Sequence, residues 1–350
     1  MPALSQKFYL KKAGLEIPPI IFGTSSLGNL YEALSWEIKR AIVSETVESV
    51  EPPVVLDTAG KYGAGLALET IGKLLRELEV TSDDVLISNK LGWLRTPLQG
   101  DEPTFEPGVW KDLKHDARQD ISYDGILRAW EQGAELLGEE YSPELVSVHD
   151  PDVYLAQATN KSERAKLLDD ILGAYQALEE LKDAGETSAV GVGSKDWKVI
   201  RELHTNVDLD WVMFANSFTV WSHPKELLAF MEELAADDVY IINSAVFHSG
   251  FLVGSNFFDY KKIYTDHIEH RSKFHWREKF FAICSKFNVS PAVACIQFGM
   301  SPSQVSSISL NTSKPERIRA NIRAIQIELP AEFWEAMKDE GLIDRDYQYV

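Results

Sequence analysis

The stretch "VVLDTAGKYGAGLALETIGKLL", residues 54–75, shows the repeating unit on which the fold of this chain depends. An apolar run ends in Asp57, three glycines surround Tyr62, and an amphipathic helical pattern follows at once. A strand that is apolar on both faces and leads into a helix is typical of a parallel sheet covered by helices. The glycines read GxxGxG, whereas a dinucleotide-binding turn requires GxGxxG, so a phosphate loop is a weak interpretation. The stronger one is that Asp57 and Tyr62 take part in chemistry.

The same alternation of apolar run and helical pattern recurs along the chain. The strand candidates are 19–24, 53–58, 84–90, 144–149, 188–193, 210–216, 239–245 and 305–310. The helical segments between them include 67–79, 125–138, 167–185 and 224–236. Eight such units predict a closed (β/α)8 TIM barrel, and the lack of any linker predicts one domain over residues 1–350. Before the first unit, "FYLKKAGLEIPPI" (8–20) predicts an N-terminal β-hairpin at the bottom of the barrel.

Composition limits the class of partner. The chain has 350 residues, 45% of them hydrophobic, and a net charge of -19, which argues against nucleic acid and anionic membranes and favours a small molecule. No signal peptide or membrane span is evident, so we expect a cytoplasmic protein. Cys284 and Cys295 suit buried thiols, and no metal site is expected, because the histidines within 267–275 lack a complete ligand set. The sequence gives no oligomeric state.

Two connections are much longer than the others, 91–123 and 250–279. Long aromatic-rich loops at the carboxyl ends of barrel strands usually form the active-site pocket. We therefore expect both to wall the substrate pocket, with Trp93 and Trp110 binding substrate.

Polar residues follow three neighbouring strand candidates: Asp57 and Tyr62 after the second, Lys90 after the third and His149 after the fourth. Any one alone could be a capping or loop residue, but together they face one mouth of the predicted barrel. If Lys90 donates toward the Tyr62 oxygen, it favours the phenolate, and a shift of two pKa units corresponds to roughly 2.7 kcal/mol. Asp57 would hold Lys90 in place, and a neutral His149 would hydrogen-bond the reacting oxygen.

The contexts "LDTAGKYG", "ISNKLGW" and "VSVHDPD" resemble the aldo-keto reductases over most of the chain. Within that family, "NKLGW", "VHDPD" and "FHSGFLVG" are most similar to bacterial sugar dehydrogenases that oxidise L-fucose, D-threo-aldoses or L-galactose at the anomeric carbon, with a pyridoxal dehydrogenase nearby. The resemblance implies a barrel that binds NAD(P) across its C-terminal mouth without a Rossmann domain. It also implies that Asp57, Tyr62, Lys90 and His149 form the catalytic tetrad.

The resemblance further implies where the cofactor lies along the strand ends. Its expected contacts are Gly23 and Thr24 near the nicotinamide, Ser194 or Lys195 at the carboxamide, Ser249, Gly250 and Phe251 at the pyrophosphate, and Arg317 and Asn321 at the adenosine end. The aromatic ring that stacks on the nicotinamide in many family members is supplied here by Phe247, by Phe218 or by no residue. Asn311 and Thr312 replace the Lys-Ser of many NADP users, which favours NAD slightly, while Arg317 keeps NADP open.

Several functions are consistent with these expectations. The leading one is oxidation of an aldose at C1 to a lactone by NAD or NADP, with Tyr62 as proton acceptor. A NADPH-dependent carbonyl or aldehyde reductase and a pyridoxal dehydrogenase are alternatives within the same chemistry. A Schiff-base aldolase with Lys90 as nucleophile and a non-enzymatic NAD(P)-binding regulator belong to other classes.

Overall fold

The computed structural model describes residues 6–350 and contains strands and helices in regular alternation. The strands are β1 (Phe8–Leu10), β2 (Leu15–Ile17), β3 (Ile20–Gly23), β4 (Val54–Ala59), β5 (Val85–Leu91), β6 (Trp93–Pro97), β7 (His115–Gln119), β8 (Pro143–His149), β9 (Ala189–Ser194), β10 (Trp211–Ala215), β11 (Tyr240–Ser244), β12 (Phe257–Phe258), β13 (Lys261–Lys262) and β14 (Val305–Leu310). The helices are α1 (Trp36–Ser49), α2 (Leu66–Glu77), α3 (Tyr123–Leu137), α4 (Pro151–Leu155), α5 (Lys161–Asp183), α6 (Trp197–His204), α7 (Lys225–Ala236), α8 (Arg271–Lys286), α9 (Pro291–Gly299), α10 (Ile318–Ala324) and α11 (Ala331–Asp339).

Eight parallel strands close into a barrel in the order β3, β4, β5, β8, β9, β10, β11 and β14, and β14 pairs back onto β3. Each of the eight predicted strand segments forms one of these strands, so the predicted (β/α)8 barrel is confirmed. Because all eight strands run in the same direction, their carboxyl ends share one mouth.

The barrel interior is a packed core in its lower half. Trp211 is the largest side chain there, and a Cβ on Gly191 would lie 2.3 Å from its ring, so only glycine leaves room for the indole. The N-terminal hairpin of β1 and β2, predicted from residues 8–20, is confirmed. Its Leu10 and Ile17 are fully buried against this core, so the hairpin closes the bottom of the barrel.

The helices pack around the barrel, and α1, α3, α5 and α6 begin at side chains that cap them. Ser122 accepts a hydrogen bond from the N–H of Gly125 at the start of α3 (3.0 Å), a contact that satisfies one of the unpaired donors of the first turn. The four predicted helical segments correspond to α2, α3, α5 and α7. Among residues 6–350 no single helix is long and apolar enough to cross a membrane; residues 268–286 and 291–299 pass that test only together, with a bend of 101° between them.

Both long connections contain short strands that the sequence did not predict. In the first, β6 pairs antiparallel with β7. In the second, β12 and β13 form a hairpin whose turn residues, Asp259 and Tyr260, have φ of 47° and 66°. Two successive positive φ values define a type I′ turn, whose twist matches that of paired strands. Glycine usually occupies such turns, so the sequence carried no signal for this one.

Candidate active site

The four side chains expected at the barrel mouth lie together. Asp57 ends the apolar part of β4, Lys90 lies near the end of β5, and His149 ends β8, which pairs directly with β5. The exposed fractions of these three residues are 2%, 2% and 6%. Tyr62 reaches the same place from the loop after β4, where its ring centroid lies 5.7 Å from that of His149, edge to face.

Asp57 and Lys90 form a buried ion pair. The ammonium of Lys90 donates to Oδ1 of Asp57 at 2.5 Å and to the carbonyl of Thr58 at 3.2 Å. Burial raises the pKa of Asp57, and the positive charge of Lys90 opposes that shift. The hydroxyl of Ser88 also donates to Oδ1 of Asp57 (3.3 Å). These contacts fix the position of Lys90 beside Asp57.

Lys90 lies 5.0 Å above the centroid of the Tyr62 ring, but its hydrogen bonds go elsewhere. Burial raises the pKa of Tyr62 well above its usual value, and the negative charge of Asp57 adds to that effect. This differs from the expectation that Lys90 donates to the Tyr62 oxygen and favours phenolate. The physical reason is that burial penalises the charged phenolate more than the ammonium stabilises it, so the protein alone holds Tyr62 as a phenol.

His149 is a neutral imidazole at ordinary pH. Burial lowers its pKa to about 3, against the opposing influence of the adjacent Asp150 carboxylate. Its Nδ1 is buried and has no hydrogen-bond partner among residues 6–350. A buried, unpaired ring nitrogen costs free energy unless a ligand meets it, so His149 is suited to hydrogen-bond a substrate oxygen.

The glycines around Tyr62 act through close packing. Gly63 has φ of 63°, and a Cβ there would lie 2.4 Å from the carbonyl oxygen of Gly28. A Cβ on Gly28 would in turn lie 2.7 Å from the carbonyl carbon of Tyr62. Larger residues would push apart the loops after β3 and β4, so these glycines set the position of Tyr62.

Two of the expected nicotinamide contacts border this site. Thr24 donates from both its N–H and its hydroxyl to the carbonyl of Asp57, at 3.0 and 2.9 Å. Gly23, which precedes it, pairs with Asp57 in the barrel. Ser194 is buried at the end of β9, and the ammonium of Lys195 lies 5.0 Å above the ring of Tyr260.

Asn216, directly after β10, is a candidate that the sequence did not suggest. Its side chain is buried, and neither its amide nitrogen nor its amide oxygen has a partner within residues 6–350. A free donor beside a free acceptor matches the hydrogen-bonding groups of a carboxamide. The residues at this end of the barrel therefore fit a nicotinamide.

The loop after β11 contains the expected pyrophosphate contacts. Ser249 accepts a hydrogen bond at Oγ from the N–H of Tyr260 (2.8 Å), and Gly250 has φ of 85°. The N–H of Phe251 donates to the carbonyl of His248 (3.1 Å), and its ring is fully buried. Phe251 thus has its N–H bonded within the loop and its ring in the core.

The remaining expected contacts lie at two different places. Arg317 and Asn321 stand just before and within α10, a helix that follows β14 and packs against α1 outside the barrel wall. Phe218, one of the two aromatic residues considered for the nicotinamide, is fully buried and stacks on Phe298 with 5.5 Å between centroids. It is a core residue, whereas Phe247 is only partly buried.

An aromatic wall borders Tyr62 on the side of the first long connection. Trp110 is 5% exposed, and its ring centroid lies 6.0 Å from that of Tyr62. Phe105 lies between it and Trp93, with centroids 6.1 and 5.9 Å away. The two tryptophans expected to bind substrate therefore belong to one cluster, and Trp110 is the one next to Tyr62.

Tyr260 is a second residue that sequence reasoning missed. It is at the tip of the β12–β13 hairpin, over Lys195, and burial raises its pKa. The hairpin is held by Asp259, whose carboxylate contacts Nδ1 of His248 at 2.7 Å, and by stacking of His248 on Phe258. Nothing local in "NFFDYKK" indicates that its tyrosine reaches the barrel mouth.

Comparison with known proteins identifies the family. A sequence model of the aldo/keto reductase family matches residues 19–340. The chain belongs to this family. It is 29% identical to a pyridoxal 4-dehydrogenase of Microbacterium luteolum, covering 97% of this chain and 98% of the relative. It is 28% identical to a D-threo-aldose 1-dehydrogenase of a Pseudomonas species, covering 95% and 96%.

Solved structures show the same fold. An aldo-keto reductase from Bacillus halodurans, in its holo form, superposes with a TM-score of 0.70 at 19% identity, over 97% of this chain and 96% of that one. A glycerol dehydrogenase from Gluconobacter oxydans gives 0.68 at 14% identity, over 99% and 97%. This aldo/keto reductase is therefore an NAD(P)-dependent oxidoreductase of small molecules. That assignment sets aside the Schiff-base aldolase and the non-enzymatic regulator.

Proposed function

We propose that this aldo/keto reductase oxidises the anomeric hydroxyl of an aldose to the lactone, with Tyr62 as proton acceptor. The observation that carries the proposal is the buried Lys90, paired with Asp57 at 2.5 Å and 5.0 Å from the Tyr62 ring. The similarity to a D-threo-aldose 1-dehydrogenase supports the substrate class. His149, neutral and with an unpaired ring nitrogen, supports a hydrogen bond to the reacting oxygen.

The bound NAD(P) supplies the hydride acceptor. Ser194, Lys195 and Asn216 would hold its carboxamide, since all three lie at the ends of adjacent strands β9 and β10. Gly23 and Thr24 would border the nicotinamide. The backbone of Ser249 and Gly250 would contact the pyrophosphate, since the N–H of Phe251 is already bonded to the carbonyl of His248. Arg317 and Asn321 would contact the adenosine end.

Tyr62 and Lys90 have different roles in proton transfer: Tyr62 exchanges the proton with the substrate, and Lys90 stabilises the charged form of Tyr62. Tyr62 accepts the proton of the anomeric hydroxyl as the C–H bond at the same carbon breaks. To accept that proton, Tyr62 must first have lost its own proton to solvent, and the ammonium of Lys90 stabilises the phenolate until the substrate proton reaches it. Asp57 keeps that ammonium in place, and His149 directs the substrate oxygen toward Tyr62. In the reverse direction the phenol of Tyr62 protonates a carbonyl, for which its raised pKa is suited.

We infer NAD rather than NADP as the preferred nucleotide. Asn311 is engaged by the hydroxyl of Ser26 (2.8 Å), so the position that carries lysine in many NADP users here serves an internal contact. Arg317 is exposed and can pair with a 2′-phosphate, which leaves NADP as the second choice.

Pyridoxal is a second candidate substrate, favoured by the aromatic wall. Trp110 lies beside Tyr62, and Phe105 and Trp93 pack behind it in the same cluster. A flat heteroaromatic ring stacks well on such surfaces. The similarity to a pyridoxal 4-dehydrogenase points the same way.

The experiment is a screen of NAD and NADP with a panel of aldoses and pyridoxal, followed by the variant Tyr62→Phe. Loss of a positioned proton acceptor is expected to lower kcat by about 10²- to 10⁴-fold. Tyr9→Phe is the matched control, since Tyr9 lies on the hairpin at the other end of the barrel and is 59% exposed. Turnover that survives Tyr62→Phe with little loss refutes the role of Tyr62. Turnover of carbonyl compounds but of no aldose refutes the substrate class.

A further inference from the structure

Lys61, the residue before Tyr62, is a buried cation that the proposed mechanism does not use. Its side chain is 6% exposed. The ammonium donates to Oε1 of Glu106 at 2.8 Å and to Oδ2 of Asp150 at 2.7 Å, and it lies 4.9 Å above the ring of Trp93. Burying a lysine is costly, and both carboxylates together with the indole face are needed to offset that cost.

The Asp150 end of this cluster is attached to the barrel. Asp150 follows His149 directly at the end of β8, and its N–H donates to the carbonyl of Gly193 on β9 (3.1 Å). Its φ of 54° lies in the left-handed region, which aspartate adopts more readily than most residues other than glycine. The second carboxylate oxygen of Asp150 lies 3.8 Å from Nε2 of His149. This end is therefore fixed relative to the reacting groups.

The Glu106 end is attached to the aromatic wall. Glu106 lies in the irregular segment between β6 and β7, with φ of 46°. Its second carboxylate oxygen accepts a hydrogen bond from the indole N–H of Trp110 at 2.8 Å. One chain of charge-assisted contacts thus runs from the barrel through Asp150, Lys61 and Glu106 to Trp110.

We propose that Lys61 is a positioning residue that determines substrate binding, because it fixes Trp110 at its distance from Tyr62. Without Lys61, the carboxylate of Glu106 would repel that of Asp150 and turn to solvent, and the indole of Trp110 would lose its anchor. The inference rests on the proposed function in that Tyr62 marks where the substrate reacts.

The same contacts specify how Trp110 meets a substrate. Its only hydrogen-bond donor is already used by Glu106, so it offers a ring face and not an N–H group. A ring face binds a flat aromatic ring, or the side of a sugar ring that carries C–H groups. Recognition at this wall is therefore by stacking, and Lys61 controls the position of the stacking surface.

The test uses the cofactor-loaded enzyme and whichever alcohol or carbonyl compound with a ring the wild type turns over, so it does not require an aldose. Glu106→Gln and Lys61→Met are each expected to raise KM at least 10-fold, while kcat changes less than 3-fold. In the double variant the two effects do not add, because both break the same chain of contacts. Glu77→Gln, which removes a carboxylate paired on the surface with Arg40, is the matched control and leaves KM unchanged.

Where Lys61→Met does not fold, the cycle is run with Glu106→Gln and Trp110→Phe. Trp110→Phe keeps an aromatic face but removes the N–H that Glu106 holds. Glu106→Gln then has no further effect on KM in the Trp110→Phe background. Additive effects in both cycles, or an unchanged KM in Glu106→Gln, overturn the inference. A fall in kcat with KM unchanged also overturns it, since positioning of a binding surface acts on KM. Failure of the proposed function shows separately, as aldoses that are never turned over.

Discussion

Lys90→Met separates the electrostatic role of Lys90 from a merely structural one. The ammonium lies 5.0 Å from the centroid of the Tyr62 ring. At an effective dielectric constant of about 20, unit charges about 5 Å apart interact by roughly 3 kcal/mol, which is on the order of 10²-fold in rate or ~2 pKa units. Lys90→Met should therefore lower kcat for oxidation about 10²-fold near neutral pH. It should also move the limb on which kcat rises with pH upward by ~2 units.

The assay is the pH dependence of reduced nicotinamide formation, from about pH 6 to about pH 10, in folded wild type and variant. Lys39→Met is the control, because it removes another buried lysine, on α1, that does not belong to the site. A variant that keeps more than about a tenth of kcat, with its pH limb unmoved, refutes the reasoning. Stability is measured in parallel: Asp57 is left buried without its cation, at a cost of about 3–5 kcal/mol. That cost falls at acid pH, because the raised pKa of Asp57 lets it protonate in the folded state.

Three further predictions concern His149 in the site, Lys39 on α1 and Gly72 on α2. Because the pKa of His149 is about 3, kcat/KM should show no limb from an imidazole between about pH 5 and 8, and a limb there that His149→Gln abolishes would contradict this. Burial lowers the pKa of Lys39 to about 8, below its unfolded value, so its charged form destabilises the fold at neutral pH. Lys39→Met should thus unfold at higher denaturant concentration near pH 7, with a gap that shrinks above about pH 8; a gap independent of pH would show that Lys39 is not the cause. A Cβ on Gly72 would lie 1.9 Å from the carbonyl oxygen of Leu137, so Gly72→Ala should lower the free energy of unfolding by about 2–3 kcal/mol, and an unchanged denaturation midpoint would disprove that contact.

Much of the site follows from the order of strands along the sequence. Once the apolar runs are assigned to parallel strands, the carboxyl ends must meet at one mouth, so Asp57, Lys90 and His149 are brought together by connectivity alone. The pattern of apolar residues was enough to predict all eight barrel strands and the N-terminal hairpin. The single-domain reading and the cytoplasmic location stay predictions.

The contacts that connect distant parts of the chain could not be read from the sequence. Lys61 pairs with residues 45 and 89 positions away, and Tyr260 reaches the mouth only because a type I′ turn places it there. The sequence also does not show that the rings of Phe251 and Phe218 lie in the core.

The barrel, the motifs that resemble the aldo-keto reductases and the four residues at the mouth can be predicted from the sequence, because they depend on local pattern and strand order. The protonation states cannot: it takes the folded arrangement to show that Tyr62 is held as a phenol and His149 as a neutral imidazole. Both outcomes depend on burial and on charges brought near from other strands, and a linear sequence does not show which groups surround a side chain.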